Sequence, residues 1–152
     1  MRILLATDGS EHSAAAVDEI VHRHPSADTE VRVISVVEPP YFPTTYPLDG
    51  MDMELYEEMQ KSAREVARAA VDKAAARLRE KGRKLSVTTE VLSGSPKRVI
   101  LEDAETFGAD LIVVGSHGRG ALDRFLLGSV SQAVALHAKC SVEIVRSPNL
   151  GH

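Results

Sequence analysis

One cysteine, Cys140, stands in 152 residues. No disulfide can form within the chain, and a reducing compartment is the expected setting. Its place just ahead of an apolar run suits packing better than redox chemistry. No apolar stretch approaches the roughly 20 residues needed to cross a bilayer. The opening MRILLATDGSEHS has too short an apolar core for a secretory signal and soon turns acidic, which suits a first strand. A soluble cytoplasmic chain away from membranes is therefore expected. The 18 Lys and Arg are outnumbered by 22 Asp and Glu, for a net charge of −4, and no segment masses the basic ones. That distribution argues against a nucleic-acid footprint. Internal repeats and low-complexity segments are missing as well. The length suits one domain, residues 1–152, around a single sizeable core.

What is present is an alternation of strand and helix. Residues 3–7 form a short apolar run. Asp8-Gly9-Ser10 then supplies turn and cap chemistry before Ala14, Ala15, Ala16, Val17, Ile20 and Val21. His24-Pro25 breaks that helix, and the β-branched run 31–37 ends at Pro39-Pro40. Four prolines in residues 38–50 resist both helix and sheet, so a long loop is expected. Tyr41, Phe42, Tyr46 and Tyr56 fall in or just after it. These rings either fold over a ligand, present a partner surface or pack under the loop. Over residues 51–81, Leu55, Met59, Ala63, Val66, Ala67, Ala70, Ala74 and Leu78 recur at three- and four-residue steps. This spacing predicts a long amphipathic helix stopped by Gly82. Leu85, Val87, Thr89 and Val91 alternate as a half-exposed third strand. Gly94-Ser95-Pro96 opens a helix running to Gly108, and residues 110–114 make a fourth strand. Val130, Ala133, Val134 and His137 lie on a fourth helix, and residues 141–146 make a fifth strand.

Five strands alternating with four helices imply an α/β fold: an open, doubly wound parallel sheet with helices on both faces. Right-handed crossovers with the first strand central give the order 3-2-1-4-5. The first and fourth strands then meet at the switch point, where ligands bind beyond the carboxyl ends of the strands. That crevice would bring Ala6-Thr7-Asp8 against the loop that follows the fourth strand.

This loop carries the most chemistry: Gly115-Ser-His-Gly-Arg-Gly-Ala-Leu-Asp-Arg-Phe-Leu-Leu-Gly-Ser129. Glycines let an anion approach the backbone, and the helix behind presents about half a positive charge at its N-terminus. The pattern is a phosphate cradle. Its spacing is Gly115, two residues, Gly118, nine residues, Gly128, Ser129, which matches neither the dinucleotide Gly-x-Gly-x-x-Gly nor the P-loop.

The spacing resembles the nucleotide-binding signature of the universal stress protein family, in which it wraps the ribose and phosphates of ATP. The resemblance extends to residues 3–10, 31–37 and 138–146, and so over nearly the whole chain. It implies a Rossmann-like fold of the adenine nucleotide alpha-hydrolase kind. By that similarity Ala6, Thr7 and Asp8 line the adenosine pocket, and Val36 meets adenine through its backbone. Gly115 and Gly118 flank ribose and phosphates, while Gly128, Ser129 and Val130 hold phosphate oxygens, with Ser131 as an addition one turn into the helix. The family commonly dimerises through its last strand. A homodimer through the fifth strand is thus implied, with Glu143 and Arg146 as charged gatekeepers in the opposite reading. Where the family often has proline, this chain has Ser141.

Residue chemistry leaves several roles open. Asp8 suits a ribose or base acceptor, an outer ligand for phosphate-bound Mg2+, or the N-cap of the first helix. Arg119 and Arg124 suit phosphates or solvent equally. His117 has no nucleophile beside it, which favours loop packing over a general base. His22-x-His24, with His12 nearby, is a weak metal pattern next to a solvated pair. A receiver-type phospho-acceptor would follow the third strand, where Val91-Leu-Ser-Gly94 has no acid, and Asp8-Gly9-Ser10 is not the Ser-Gly-Gly of an adenylating enzyme. The reading is an ATP-binding sensor or switch in stress response, read by an unknown protein partner. No catalytic residue set compels an enzyme. The alternatives are a weak Mg-dependent ATPase using Asp8 and His117, and a nucleotide-free dimeric interaction protein.

Overall fold

Consecutive apolar residues along the central strands bury side chains on both faces of one sheet, so helices must cover both. The computed structural model describes residues 1–23, 28–40, 52–81, 85–119 and 126–147. Its elements are β1 (Arg2–Ala6), α1 (Glu11–Arg23), β2 (Glu30–Val37), α2 (Met53–Lys81), β3 (Ser86–Ser93), α3 (Pro96–Phe107), β4 (Leu111–Gly115), α4 (Ser129–His137) and β5 (Ser141–Val145). All neighbouring strands are parallel, in the order β3-β2-β1-β4-β5. This is the order expected from the crossover rule.

Ile3 and Leu5 point to one face with Val31, Val33, Leu111 and Val113, where α1 adds Val17 and Ile20 and α2 adds Val71 and Leu78. Leu4 points to the other with Ile34, Ile112 and Val114, where α3 adds Ile100 and Ala104 and α4 adds Val134. Ile3, Leu4, Leu5, Ile112 and Val113 are wholly excluded from solvent, each worth roughly 1.5–3 kcal/mol of transfer free energy. Across the second layer Arg32 of β2 grips Asp103 of α3 with Nε–Oδ2 at 2.8 Å and Nη2–Oδ1 at 2.9 Å. Half-buried Cys140 packs against the same layer, and burial pushes its thiol up, as suits a packing residue.

The periodic face of the long helix is only partly core. Ala67, Ala70, Val71, Ala74, Ala75 and Leu78 are buried, whereas Leu55, Met59 and Val66 are exposed. A helix of 29 residues is about 43 Å long, and strands of eight residues span only about 27 Å. The first turns of α2 therefore overshoot the sheet. At the ends of α3, Pro96 takes the first turn and Gly108 closes it at φ 69°, while Ser95 makes no side-chain cap. Gly82, His24, Arg124 and the aromatic residues Tyr41, Phe42 and Tyr46 lie outside the described residues.

Candidate functional site

The winding reverses between β1 and β4, which pair directly from Ile3↔Leu111 to Ala6↔Val114. Chain leaving β1 passes into α1 on one face, and chain leaving β4 passes toward α4 on the other, which opens a crevice at the carboxyl ends. A cavity of about 430 Å³ lies there. Ala6, Thr7 and Asp8, Val36, Gly115 and Gly118, and Gly128, Ser129, Val130 and Ser131 all line it. Among the described residues expected at the site, Arg119 alone does not. Its backbone N–H instead donates to Asp8 Oδ2 at 3.0 Å, and its guanidinium lies against Gly9, where an added Cβ would come within 2.9 Å of Nη2.

Asp8 is not the N-cap of α1. Ser10 holds that place: its Oγ accepts the Ser13 N–H at 3.3 Å and its carbonyl accepts the Ala14 N–H at 3.0 Å. Asp8 makes an Asx turn, with Oδ1 accepting the Ser10 N–H at 2.9 Å, and Oδ2 reaches across to the glycine loop. Burial alone would raise its carboxyl. Hydrogen bonds from Ser10, the Arg119 N–H and Ser13 outweigh that and hold it below the usual carboxylate range. The group is thus an anion that clamps two loops together.

Gly115 and Gly118 have different physical reasons to be glycine. A Cβ on Gly115 would sit 2.8 Å from the His12 carbonyl carbon and 2.9 Å from the Ser13 nitrogen, so glycine lets β4 end against the first turn of α1. A Cβ on Gly118 would sit 2.8 Å from Asp8 Oδ2. Gly128 is the N-cap of α4 and supplies no side-chain cap. The N–H groups of Ser129, Val130 and Ser131 therefore open the helix without a side-chain acceptor from the cap. They carry the positive end of the helix dipole at the cavity. Ser129 is exposed. Ser131 is buried and its hydroxyl donates to the Gly115 carbonyl at 2.6 Å, so its proton braces α4 against β4 and is not free for a phosphate.

Val36 contributes an open backbone edge. The last bond between β1 and β2 is Thr7 N–H to the Ile34 carbonyl at 2.9 Å, and the Val37 carbonyl accepts from Gly94 on the β3 side. Alternation along a parallel strand turns the Val36 N–H and C=O the other way, past the end of β1 and toward the cavity. Such a donor–acceptor pair matches the edge of a heterocyclic base. The apolar walls come from Ile34, Pro96, Ile100 and Val114, which the sequence places in the second and fourth strands and in the helix that Pro96 opens. Only their position at carboxyl ends or at a helix N-terminus would have marked them.

His117 is buried, with Nδ1 3.0 Å from Ser116 Oγ and Nε2 bonded to the Leu126 carbonyl. Its ring centroid lies 5.1 Å from that of His12, a pairing across 105 residues that sequence did not suggest. Burial pushes His12 down, His117 adds to this, and the Glu11 and Asp8 carboxylates oppose without overcoming it. His22 bonds to the Asp18 carbonyl on its own helix. Among the described residues no three His, Cys, Asp or Glu side chains gather as a metal site, and no helix is long and apolar enough to cross a membrane.

Comparison with known proteins follows the same lines. The model of the universal stress protein family matches residues 1–146. A universal stress protein of Methanocaldococcus jannaschii is 38% identical over 147 residues, covering 97% of this chain and 82% of its own. The universal stress protein UspA of Lactobacillus plantarum superposes with a TM-score of 0.80 at 27% identity, over 96% of this chain and 97% of that one. A universal stress protein in complex with cAMP superposes with a TM-score of 0.56 at 26% identity, over 96% of each. In sequence and strand order alike, the chain belongs to the universal stress protein family.

Proposed function

We propose that this chain is an ATP-binding module that works as a nucleotide-dependent switch in stress response. The observation that carries the reading is the cavity at the β1–β4 crevice, where the uncapped start of α4 faces the open backbone edge of Val36. One end suits phosphates and the other suits a base. The structural neighbour solved with cAMP supports an adenine nucleotide. ATP bound here would bring three phosphates. The first-turn N–H groups of α4 and the Ser129 hydroxyl would hold them, Ile34, Pro96 and Ile100 would exclude water from the base, and Val36 would read its edge. Both Asp8 oxygens already accept backbone N–H groups, so any Mg2+ would arrive on the phosphates with Asp8 as an outer ligand.

Binding would engage Gly118, Gly128 and Ser129 at the cavity and change a surface that a protein partner reads. A homodimer through the free edge of β5 and a cytoplasmic setting belong to the same proposal, the first supported by its edge position. Burial of His117, with both ring nitrogens engaged, favours binding without turnover, since a general base needs a free nitrogen toward water.

Calorimetric titration with ATP and Mg2+ tests this, with GTP, AMP and cyclic AMP as competitors and released phosphate followed in the same samples. Saturable ATP binding without phosphate release is the expected result. Failure of every nucleotide to bind would overturn the reading in favour of a dimeric interaction protein.

A further inference from the structure

Ser116 is a node between four segments. Its N–H donates to the Val145 carbonyl at 2.7 Å, and its carbonyl accepts the Gly128 N–H at 2.8 Å. Its hydroxyl lies 3.0 Å from His117 Nδ1 and 3.3 Å from His12 Nδ1. The tautomers follow from the partners. A carbonyl only accepts, so His117 carries its proton on Nε2, facing Leu126. A backbone N–H only donates, and that of Ser147 lies 3.3 Å from His12 Nδ1, so this nitrogen is a bare acceptor. One Ser116 hydroxyl thus lies between the Nδ1 atoms of the two rings.

We infer that His12 and His117, joined through Ser116, are positioning residues for the phosphate turn, and that they hold it only while His12 is neutral. The inference rests on the nucleotide reading above. Two bonds from this cluster set the chain entering α4: His117 Nε2 to the Leu126 carbonyl, and the Ser116 carbonyl to the Gly128 N–H. Gly128 is the residue from which the phosphate-facing N–H groups start. A proton on His12 Nδ1 points at the Ser147 N–H, pushing away the chain just past β5 and withdrawing an acceptor from Ser116. The titratable groups facing His12 are Glu11 on its own helix, Asp8 in the turn before it and His117 from the glycine loop, with the Ser147 N–H from the β5 side. Protonation of His12, which burial and His117 delay to below the ordinary imidazole range, therefore loosens the turn and lowers nucleotide affinity.

The test is ATP titration of the full chain at pH 7.5 and 5.5, comparing wild type with His12→Asn and His12→Leu. Asparagine places a non-titrating acceptor near the Nδ1 position. His12→Leu is expected to lower affinity about tenfold at pH 7.5 and His12→Asn to restore most of it. On acidification wild type is expected to lose about fivefold more affinity than His12→Asn, a difference from which titration of the ATP phosphates cancels. Equal losses in the two proteins would overturn the inference. If wild type does not bind ATP at pH 7.5, the nucleotide reading fails separately, and the imidazole tautomers decide the cluster. Long-range proton–nitrogen NMR at pH 7.5 is expected to show Nε2–H on both rings. An Nδ1–H tautomer on either would overturn it.

Discussion

Asp8 and Arg119 stand 111 residues apart in the chain and meet at 3.0 Å, where the backbone N–H of one donates to the carboxylate of the other. The bond ties the turn after β1 to the loop after β4, so both walls of the crevice move as one piece. Asp8→Ala leaves two backbone N–H groups without their acceptor, which costs about 1–2 kcal/mol. An accompanying loss of ATP affinity of about tenfold is expected. The pH dependence has a definite sign. A carboxyl held below its unfolded value stabilises the fold above about pH 4, and that contribution is lost as pH falls through its lower folded value. Urea unfolding at pH 7 and pH 3 is expected to show a larger acid loss in wild type than in Asp8→Ala.

The two loop glycines separate stability from binding. Gly115→Ala drives a Cβ into the backbone of His12 and Ser13, which cannot yield without moving α1, so a loss of about 2–3 kcal/mol is expected. Gly118→Ala meets the Asp8 carboxylate, which can swing aside at the expense of the Arg119 bond. The thermal midpoint should fall mainly in the first variant. ATP affinity at a temperature where both are folded should fall in the second. A Gly118→Val chain that kept full ATP affinity would remove the proposed cradle.

Val36→Pro removes one N–H from the edge that faces the cavity and leaves the β2–β3 ladder its bonds, because Val37 is the residue that turns to β3. ATP affinity is expected to fall at least about tenfold, with affinity for inorganic triphosphate unchanged. Equal losses for both ligands in competition calorimetry would show that Val36 does not read the base.

The dimer proposal has a similar handle. The Val145 carbonyl faces β4, so alternation turns the backbone of Val142 and Ile144 to the free edge. Ile144→Pro removes an outward donor and keeps the β4 ladder. Sedimentation equilibrium is expected to show a dimer for wild type and a monomer for the variant. A dimer in both would place the interface elsewhere.

Much of the fold and part of the site follow from sequence alone, because they rest on local chemistry. Apolar runs, helix periodicity, Pro96 and Gly108 at helix ends and the alternation of strand with helix leave one simple winding of a parallel sheet, and that winding sets the crevice. The glycine spacing from Gly115 to Ser129 marks the loop that borders it. Packing decided what spacing cannot carry. Which glycine yields to α1 and which to Asp8 depends on distances across the sheet. Ser131 looked like a spare hydroxyl until its bond to Gly115 engaged it, and Leu55 and Met59 looked like core until α2 outran the strands. His12 and His117 became a pair only because β1 and β4 are neighbours. Tertiary structure alone brings such residues together, since hydrogen bonds and imidazole contacts act over a few ångströms whatever their separation along the chain.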